Sequence, residues 1–362
     1  MVFNGAMPQT ETETESESEL AARRLRSADA FRCLQDARAA SKEWSHFIVF
    51  AGLDAGERVD LLINFSVTDG VQTALNRGRA IPRVTLLARS GRHWSGSVQR
   101  YASDEVDLRA GRIDARFGTQ VLAFRDGAYW IEVADDACGI RARLRLLPSA
   151  SPLVTPSAPM DGGQVRWLIA PRLIADGTVT VGGRTHELRA APAYHDHNWG
   201  SFHWGGDFSW QWGVVLSART SAFAIVSRVL DAAGHRVLSD SVVLGGPGHT
   251  REFRADEIAV QMEGRCRGPV AFRIPAIMNL AVPDRLVDVP QTTRISAHAG
   301  GDELVLEFVA RDCAQIGMPN DHSRGGVSLI TEVCCDGHVR GVIAGKPVDF
   351  DGPAIWETTR VA

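Results

Sequence analysis

The sequence has no long apolar run and no excess of basic residues. A helix that spans a bilayer needs about 20 consecutive apolar residues, and no such run occurs among the 362 residues. The formal net charge of −4 argues against nucleic acid or anionic lipid as a partner, because both require a basic face. The N-terminus also lacks the basic start and apolar stretch of a secretory signal. We therefore expect a cytoplasmic protein with no integral membrane segment and no nucleic-acid partner.

Motifs for cysteine chemistry and nucleotide cofactors are missing as well. No two of the six cysteines have the Cys-x-x-Cys spacing of zinc and redox sites, so we interpret all six as reduced thiols packed as small apolar residues. Neither a Gly-x-Gly-x-x-Gly fingerprint nor a Walker loop provides a place for a nucleotide. The sequence therefore predicts chemistry without a cofactor.

The composition and length describe a globular chain of two domains. Apolar residues make up 44% and charged residues 23%, as in folded proteins, and the length exceeds that of one ordinary core. Residues 8–19 are acidic and of low complexity, which predicts a disordered tail over 1–19. A helical segment is expected over 20–42. We place the two domains at 43–190 and 191–362.

Beyond Trp44 the pattern is one of short strands separated by turn residues. Residues 59–65 and 84–88 are candidate strands, and Asp126-Gly127 lies between strand-like residues 121–124 and 129–133, which predicts a hairpin. Gly182-Gly183 predicts a second hairpin. The polar stretch 148–163 is interpreted as a long loop. This pattern predicts an all-β fold with two tandem antiparallel β-barrels and a short N-terminal helical segment.

Scarce residues are concentrated in one segment. Three of the eleven histidines lie between 195 and 203, and four of the nine tryptophans lie between 199 and 212. On a strand, alternate side chains share a face. One face then carries His195, His197 and Trp199, and the other carries Tyr194, Asp196 and Asn198. Phe208, Trp210 and Trp212 share a face by the same rule, so the segment combines titratable groups with an aromatic wall.

This combination suits acid–base chemistry on an apolar substrate. A carboxyl group beside indole rings loses hydration, which raises its pKa toward neutrality, and a histidine can relay the proton. Aromatic faces stabilise a cation. The predicted catalytic residues are His195, Asp196 and His197, with His197 as the proton relay inside the cavity. The predicted substrate-binding residues are Tyr194, Asn198, Trp199, Trp204, Asp207, Phe208, Trp210 and Trp212.

Each of these signals has a simpler interpretation. The aromatic stripe could be barrel core, and Asp196 could bond a loop amide. The His195-x-His197 pair could bind a metal, but no glutamate follows at short spacing on that face, so we expect no metal. A hydrophobic-ligand carrier would need the aromatic wall but not the His-Asp-His cluster, which is why an enzyme is the first hypothesis.

The stretch Tyr194-His195-Asp196-His197-Asn198-Trp199-Gly200 resembles the signature of the carotenoid 1,2-hydratase family and its AttH-like relatives. The stretch 43–47 resembles a diverged form of the segment that opens the first domain there. The resemblance implies two tandem lipocalin-like barrels with a substrate cavity near their interface, and it places the family's His and Trp on His197 and Trp199. It also implies a hydrophobic unsaturated substrate, such as an isoprenoid or a polyketide.

The chain departs from the family pattern at one point. The family hydratases also use a Tyr and an Asp two residues apart, downstream of that Trp. Here the corresponding stretch, 221–228, contains neither residue. We therefore expect a cofactor-independent hydratase, cyclase or isomerase, with a Diels-Alder-type cyclase or a non-catalytic carrier as alternatives. The sequence does not predict an oligomeric state.

Overall fold

The computed structural model describes residues 16–32, 42–53, 57–68, 81–109, 111–160, 163–246, 249–266, 272–276, 289–321 and 326–361. Within these ranges one α-helix, α1 (Glu17–Ala28), precedes 22 strands. In the N-terminal half the strands are β1 (Lys42–Ala51), β2 (Val59–Thr68), β3 (Ile81–Ser90), β4 (His93–Arg100), β5 (Val106–Leu108), β6 (Asp114–Phe117), β7 (Gln120–Arg125), β8 (Ala128–Asp135), β9 (Ile140–Pro148), β10 (Leu153–Met160), β11 (Gly163–Val181) and β12 (Arg184–Ser201). In the C-terminal half they are β13 (Ser209–Leu216), β14 (Phe223–Leu230), β15 (Val237–Gly246), β16 (His249–Arg254), β17 (Ile258–Glu263), β18 (Phe272–Ile274), β19 (Thr292–Ala299), β20 (Asp302–Pro319), β21 (Val327–Ile343) and β22 (Lys346–Val361).

Helix α1 begins inside the acidic repeat. The Ser16 hydroxyl accepts a hydrogen bond from the Glu19 backbone N–H, and the Glu19 carboxylate accepts one from the Ser16 N–H, which is a capping box. The predicted tail 1–19 is therefore wrong for residues 16–19, because their Ser-x-x-Glu spacing starts a helix. Residues 1–15 lie outside the described ranges. The predicted helical segment 20–42 is shorter than expected, since α1 ends at Ala28, and residues 33–41 are not described.

The strands form two large antiparallel sheets. The first sheet has the order β4-β3-β2-β1-β12-β11-β9-β8-β7-β6-β5, with β10 paired to β11. The second has the order β16-β15-β14-β13-β22-β21-β20-β19-β17, and β18 pairs with β20 in parallel. Each sheet curls around its own core, but the described edge strands do not pair with each other, so each is a half-barrel. The all-β prediction is confirmed.

Apolar cores lie inside each half-barrel and between the two sheets, and a smaller apolar cluster surrounds Phe202, Trp204 and Phe208 in the connection. Phe47 and Phe117 belong to the core inside the first sheet, and Phe308 and Trp356 to the core inside the second. A third core lies between the sheets and joins side chains from both, among them Phe50, Trp212 and Ile355. Because side chains alternate along a strand, the central strands bury one face in their own half-barrel and the other against the opposite sheet.

The turn predictions are confirmed where Asp-Gly and Gly-Gly join paired strands. Asp126 and Gly127 have φ of 52° and 73° between β7 and β8. Gly182 and Gly183 have φ of 58° and 80° between β11 and β12. Positive φ at both central residues is the geometry of a two-residue hairpin turn.

The predicted loop 148–163 is wrong, because Leu153–Met160 forms β10 along β11. Its prolines obscured the strand pattern, although proline is tolerated in a strand at a sheet edge or bulge. The register along β11 shifts between Thr155 and Ala158.

The chain passes from the first sheet to the second between Ser201 and Ser209. The predicted boundary between 190 and 191 falls inside β12, which belongs to the first sheet. None of the helices in the described ranges is long and apolar enough to cross a membrane. The five described cysteines form no disulfide, while Cys33 lies outside the described residues.

Arg58 joins the two sheets through a buried polar contact. Its guanidinium pairs with Asp60 on β2 and donates to the carbonyl oxygens of Cys335 at 2.7 Å and Ala354 at 3.2 Å. Those carbonyls belong to β21 and β22 of the second sheet. The Asp60 carboxylate is fully buried, so it depends on its arginine partners for compensation.

Replacing Arg58 by alanine should therefore destabilise the fold by about 3 kcal/mol, since the buried Asp60 then keeps only its 3.4 Å pair with Arg89 and the hydrogen bonds to the second sheet are lost. Urea unfolding followed by tryptophan fluorescence measures this loss. Arg184→Ala is the matched control, because Arg184 pairs with Glu57 at an exposed position and surface pairs contribute under about 1 kcal/mol. Equal losses in the two variants would contradict the role assigned to Arg58.

Candidate functional site

Strand β12 carries the predicted site, and it is buried on both faces. It pairs with β1 without a bulge, with Ser45 opposite His197 and His46 opposite Asp196. The alternation predicted from the sequence is therefore present. His195 and His197 point into the first half-barrel, while Asp196 points toward the second sheet.

Inside the first half-barrel the two histidines hold the residue that ends α1. The Asp29 carboxylate accepts from His197 Nδ1 at 2.5 Å, from His195 Nε2 at 2.9 Å and from the Tyr129 hydroxyl at 2.5 Å. Burial would raise the pKa of Asp29, but the adjacent histidines outweigh it and hold that pKa well below its usual range. The cluster is a charged network sealed from solvent.

His197 bridges two carboxylates. Its Nε2 donates to Glu43 Oε1 at 2.7 Å, opposite the bond from Nδ1 to Asp29. Burial lowers the pKa of His197, but the hydrogen bonds and charges of Asp29 and Glu43 outweigh burial and raise it to about 9. Glu43 also accepts the backbone N–H of Arg32 at 2.8 Å through both oxygens. The histidines therefore fix the segment after α1 inside the first half-barrel.

A cavity lies between the two sheets, on the opposite face of β12. Its aromatic lining comes from both sheets and from the connection between them. These residues are Trp44, Trp167, Trp204, Phe208, Trp210 and Trp212. Its ionisable lining consists of His46, Arg83, Asp196, Glu332 and Glu357. An apolar chamber with a few convergent polar groups is the usual form of a small-molecule site.

Asp196 is the cavity carboxyl that the sequence predicted. Its Oδ2 accepts from the Tyr194 hydroxyl at 3.0 Å and its Oδ1 from Asn198 Nδ2 at 2.7 Å. Burial and the nearby Glu357 raise the pKa of Asp196 well above its usual range, although the bond from Tyr194 acts in the other direction. The result is an oriented carboxyl group whose protonated form is favoured by its surroundings.

His46 and Arg83, the two basic side chains that line the cavity, differ in charge. Burial, with a smaller effect of His195, lowers the pKa of His46 to about 3, so its imidazole is neutral at physiological pH. Burial and Arg100 lower the pKa of Arg83 to about 10, which leaves its guanidinium charged.

The structure brings together some predicted residues and separates others. Asp196, Asn198, Trp204, Phe208, Trp210 and Trp212 line the cavity. His197 and Trp199, which we expected to face it, do not line this cavity, because alternation along β12 directs them into the first half-barrel. Trp199 instead lies under the Arg32 guanidinium, 4.1 Å from its ring centroid. The catalytic role assigned to His195 and His197 stays a prediction, and their contacts make them positioning residues.

Two further predicted residues, Tyr194 and Asp207, do not line the cavity but support residues that do. Tyr194 packs on Trp212, with ring centroids 5.0 Å apart, and orients Asp196 from behind. Asp207 accepts from the His203 backbone N–H at 2.7 Å and from its Nδ1 at 3.1 Å, so it shapes the turn that carries Trp204.

Sequence reasoning missed the carboxyl groups of the second sheet. Glu332 on β21 shares a face with Ile330 and Cys334, and all three lie between the sheets. Glu357 on β22 follows the same alternation after Ile355. A glutamate in register with buried apolar residues on a central strand is the signal that could have identified them.

In the part of the chain that the structure describes, no group of three or more His, Cys, Asp or Glu side chains is arranged to hold a metal ion.

Comparisons with solved structures agree on this architecture. An AttH-type protein from Nitrosomonas europaea has a TM-score of 0.61 at 16% identity, over 91% of this chain and 97% of that one. Kievitone hydratase from Nectria haematococca has a TM-score of 0.58 at 11% identity, over 91% and 93%. CghA has a TM-score of 0.56 at 10% identity, over 88% of each chain. These likenesses show that the tandem lipocalin-like fold is shared. No family model and no curated protein matches the sequence.

His197→Gln should destabilise the protein by about 3 kcal/mol, because the buried Glu43 loses its imidazole partner and the buried Asp29 keeps only His195 as a basic partner. The folded-state pKa of about 9 lies above the ordinary 6.5. The stabilisation by His197 is thus complete below pH 6.5 and is lost as the pH rises through about 9. Thermal unfolding across this range should show the gap between variant and wild type shrinking.

His298→Gln is the control for that series, since His298 is exposed on β19 and its loss should leave the unfolding temperature unchanged. A His197→Gln protein as stable as the wild type at pH 6.5 would contradict the assigned role.

Proposed function

We propose that this protein is a cofactor-independent enzyme of hydratase or cyclase type that acts on a hydrophobic unsaturated small molecule in the cavity between the sheets. The observation that carries the proposal is an aromatic chamber that contains carboxyl groups with raised pKa, above all Asp196. A double bond accepts a proton only from an acid held close to it, and indole faces stabilise the cation that results.

The aromatic lining would bind the substrate, and Asp196 would take part in proton transfer. Trp167 and Trp212, which lie on opposite sheets with ring centroids 6.4 Å apart, form one continuous aromatic surface against which an apolar group can pack. Asp196 lies on the strand between β1 and β11 that carries the motif, and Tyr194 and Asn198 fix its two oxygens. Preorganisation of this kind lowers the barrier by placing the reacting groups before the reaction begins.

The size of the chamber limits the substrate. Its volume of about 120 Å³ is well below the roughly 300 Å³ at which pockets enclose a drug-sized ligand. The cavity as it stands admits the reacting end of a molecule, such as a short prenyl group, and not a complete polyene. The structural neighbours include a protein named kievitone hydratase, so kievitone is one compound to test.

Cyclisation is the second candidate reaction. A cation formed beside Asp196 is captured by water in a hydratase and by another double bond of the substrate in a cyclase. The apolar lining favours the second outcome wherever water is excluded. Product mass separates the two, because hydration adds the mass of water and cyclisation leaves the mass unchanged.

Asp196→Asn should reduce turnover by about a hundredfold to ten-thousandfold, since a positioned acid–base group contributes that much. The assay incubates the protein with kievitone and other prenylated phenols in water enriched in the heavy oxygen isotope and analyses products by mass spectrometry. Binding of the same compounds, followed by tryptophan fluorescence, should be nearly unchanged in the variant.

Asp349→Asn provides the matched control, because Asp349 is 72% exposed on β22 and its substitution should not alter turnover. Wild-type protein that binds these compounds and returns every one unaltered would instead identify a carrier.

A further inference from the structure

Two glutamates face each other on the wall that the second sheet contributes to the cavity. Glu332 on β21 and Glu357 on β22 are direct cross-strand partners in the antiparallel ladder. Both line the cavity. Like charges directly opposite each other destabilise a sheet, so the position requires a compensating partner or a proton.

No compensating cation acts on the pair among the described residues. The groups that interact with the two carboxyls are each other, Asp196 and the Trp210 indole, whose Nε1 donates to Glu357 Oε1. The two cavity bases, His46 and Arg83, belong to the first sheet. A buried carboxylate without a cation is costly, and such groups keep their proton instead.

Glu332 is the member that holds this proton. Its side chain is buried, with 2% of the residue exposed, and its Oε2 has no hydrogen-bond partner in the described structure. Burial also raises the pKa of Glu357, but hydrogen bonds from Glu332 and Trp210 act in the other direction, so Glu357 is the member whose ionised form has hydrogen-bond donors. Burial, followed by Glu357 and Asp196, raises the pKa of Glu332 well above its usual range. One wall of the cavity therefore presents a neutral carboxylic acid.

We propose that Glu332 is the proton donor to the substrate double bond, and that Glu357 is the positioning residue that keeps it protonated. This inference rests on the proposed function and names the acid that the reaction needs. It also gives the carboxyl groups of the two sheets different roles. Asp196 on the first sheet has hydrogen-bond donors on both oxygens, whereas Oε2 of Glu332 on the second sheet has none and is available to a substrate.

In the first step a C–H bond forms at one carbon of the double bond while the O–H bond of Glu332 breaks. The electron pair of that O–H bond stays on the carboxylate, and the other carbon becomes cationic beside the indoles of Trp210 and Trp212. Water then adds through an oxygen lone pair, and the oxonium gives its proton to the Glu332 carboxylate. The O–H bond of Glu332 forms again as that of the oxonium breaks, which leaves the net addition of one water molecule.

Infrared difference spectroscopy tests whether the Glu332 carboxyl is protonated, and it needs no substrate. At neutral pH, Glu332→Gln should lose the carbonyl band of a protonated carboxyl group that the wild type shows. Glu303→Gln is the matched control, because Glu303 is exposed on β20 and its loss should remove carboxylate absorption instead. Loss of carboxylate absorption in Glu332→Gln would overturn the proposal.

The stability of Glu332→Gln gives a second measurement with a definite sign. The pKa of Glu332 is raised in the folded state, so folded protein binds a proton that unfolded protein releases above about pH 4.5. Wild-type stability therefore falls as the pH rises from there. Glutamine has no proton to lose, and the unfolding temperature of the variant should exceed that of the wild type by a margin that grows with pH. A constant difference across the pH range would contradict the assignment.

Turnover separates this proposal from the one on which it rests. With any prenylated phenol that the wild type converts, Glu332→Gln should lower kcat at least about a hundredfold and change KM little. Glu357→Gln removes the neighbouring charge and should shift the alkaline limb of the pH profile to lower pH. A fully active Glu332→Gln beside an impaired Asp196→Asn would refute Glu332 as donor and leave the proposed function intact. Absence of turnover in the wild type would refute the function itself.

Discussion

Burial of β12 on both faces is the constraint on which the rest of the structure depends. A strand at the edge of a single barrel would expose one row of side chains, but β12 lies between the core of the first half-barrel and the cavity. Alternation then sends His195 and His197 to one environment and Asp196 to the other. One short motif thereby builds two sites with different physics, separated by the thickness of a sheet.

The two sites handle buried charge in opposite ways. Inside the first half-barrel, Asp29 and Glu43 are compensated by His197, whose two ring nitrogens each meet a carboxylate. In the cavity, Glu332 and Glu357 face each other without a cation and retain a proton. A paired charge stabilises structure and does little chemistry. An unpaired carboxyl destabilises the fold, and natural proteins keep such groups mainly at functional sites. This contrast is why the function is assigned to the cavity rather than to the denser histidine cluster.

Much of this arrangement could be predicted from the sequence. The features that could not be predicted were missed for identifiable physical reasons. The hairpins at Asp126 and Gly182 could be predicted because their turns need positive φ. The opposite orientations of Asp196 and His197 follow from strand alternation alone. Which of them enters the cavity does not, because a strand buried on both faces offers no difference in polarity between its faces. Asp29, the partner of both histidines, lies far away along the chain, and local patterns do not report such a contact.

The position of the cavity acids also accounts for the departure from the carotenoid hydratase pattern. The stretch that should carry a Tyr and an Asp overlaps β14, where Phe223 and Ile225 face the other sheet and add only apolar surface. In the second sheet β14 lies on one side of β13, and β22 and β21 lie on the other. The carboxyls of this chain, Glu357 and Glu332, thus occupy the same wall but approach the cavity from the far side of β13. A substrate protonated from there must present its double bond toward β21 and β22, with Asp196 across from it.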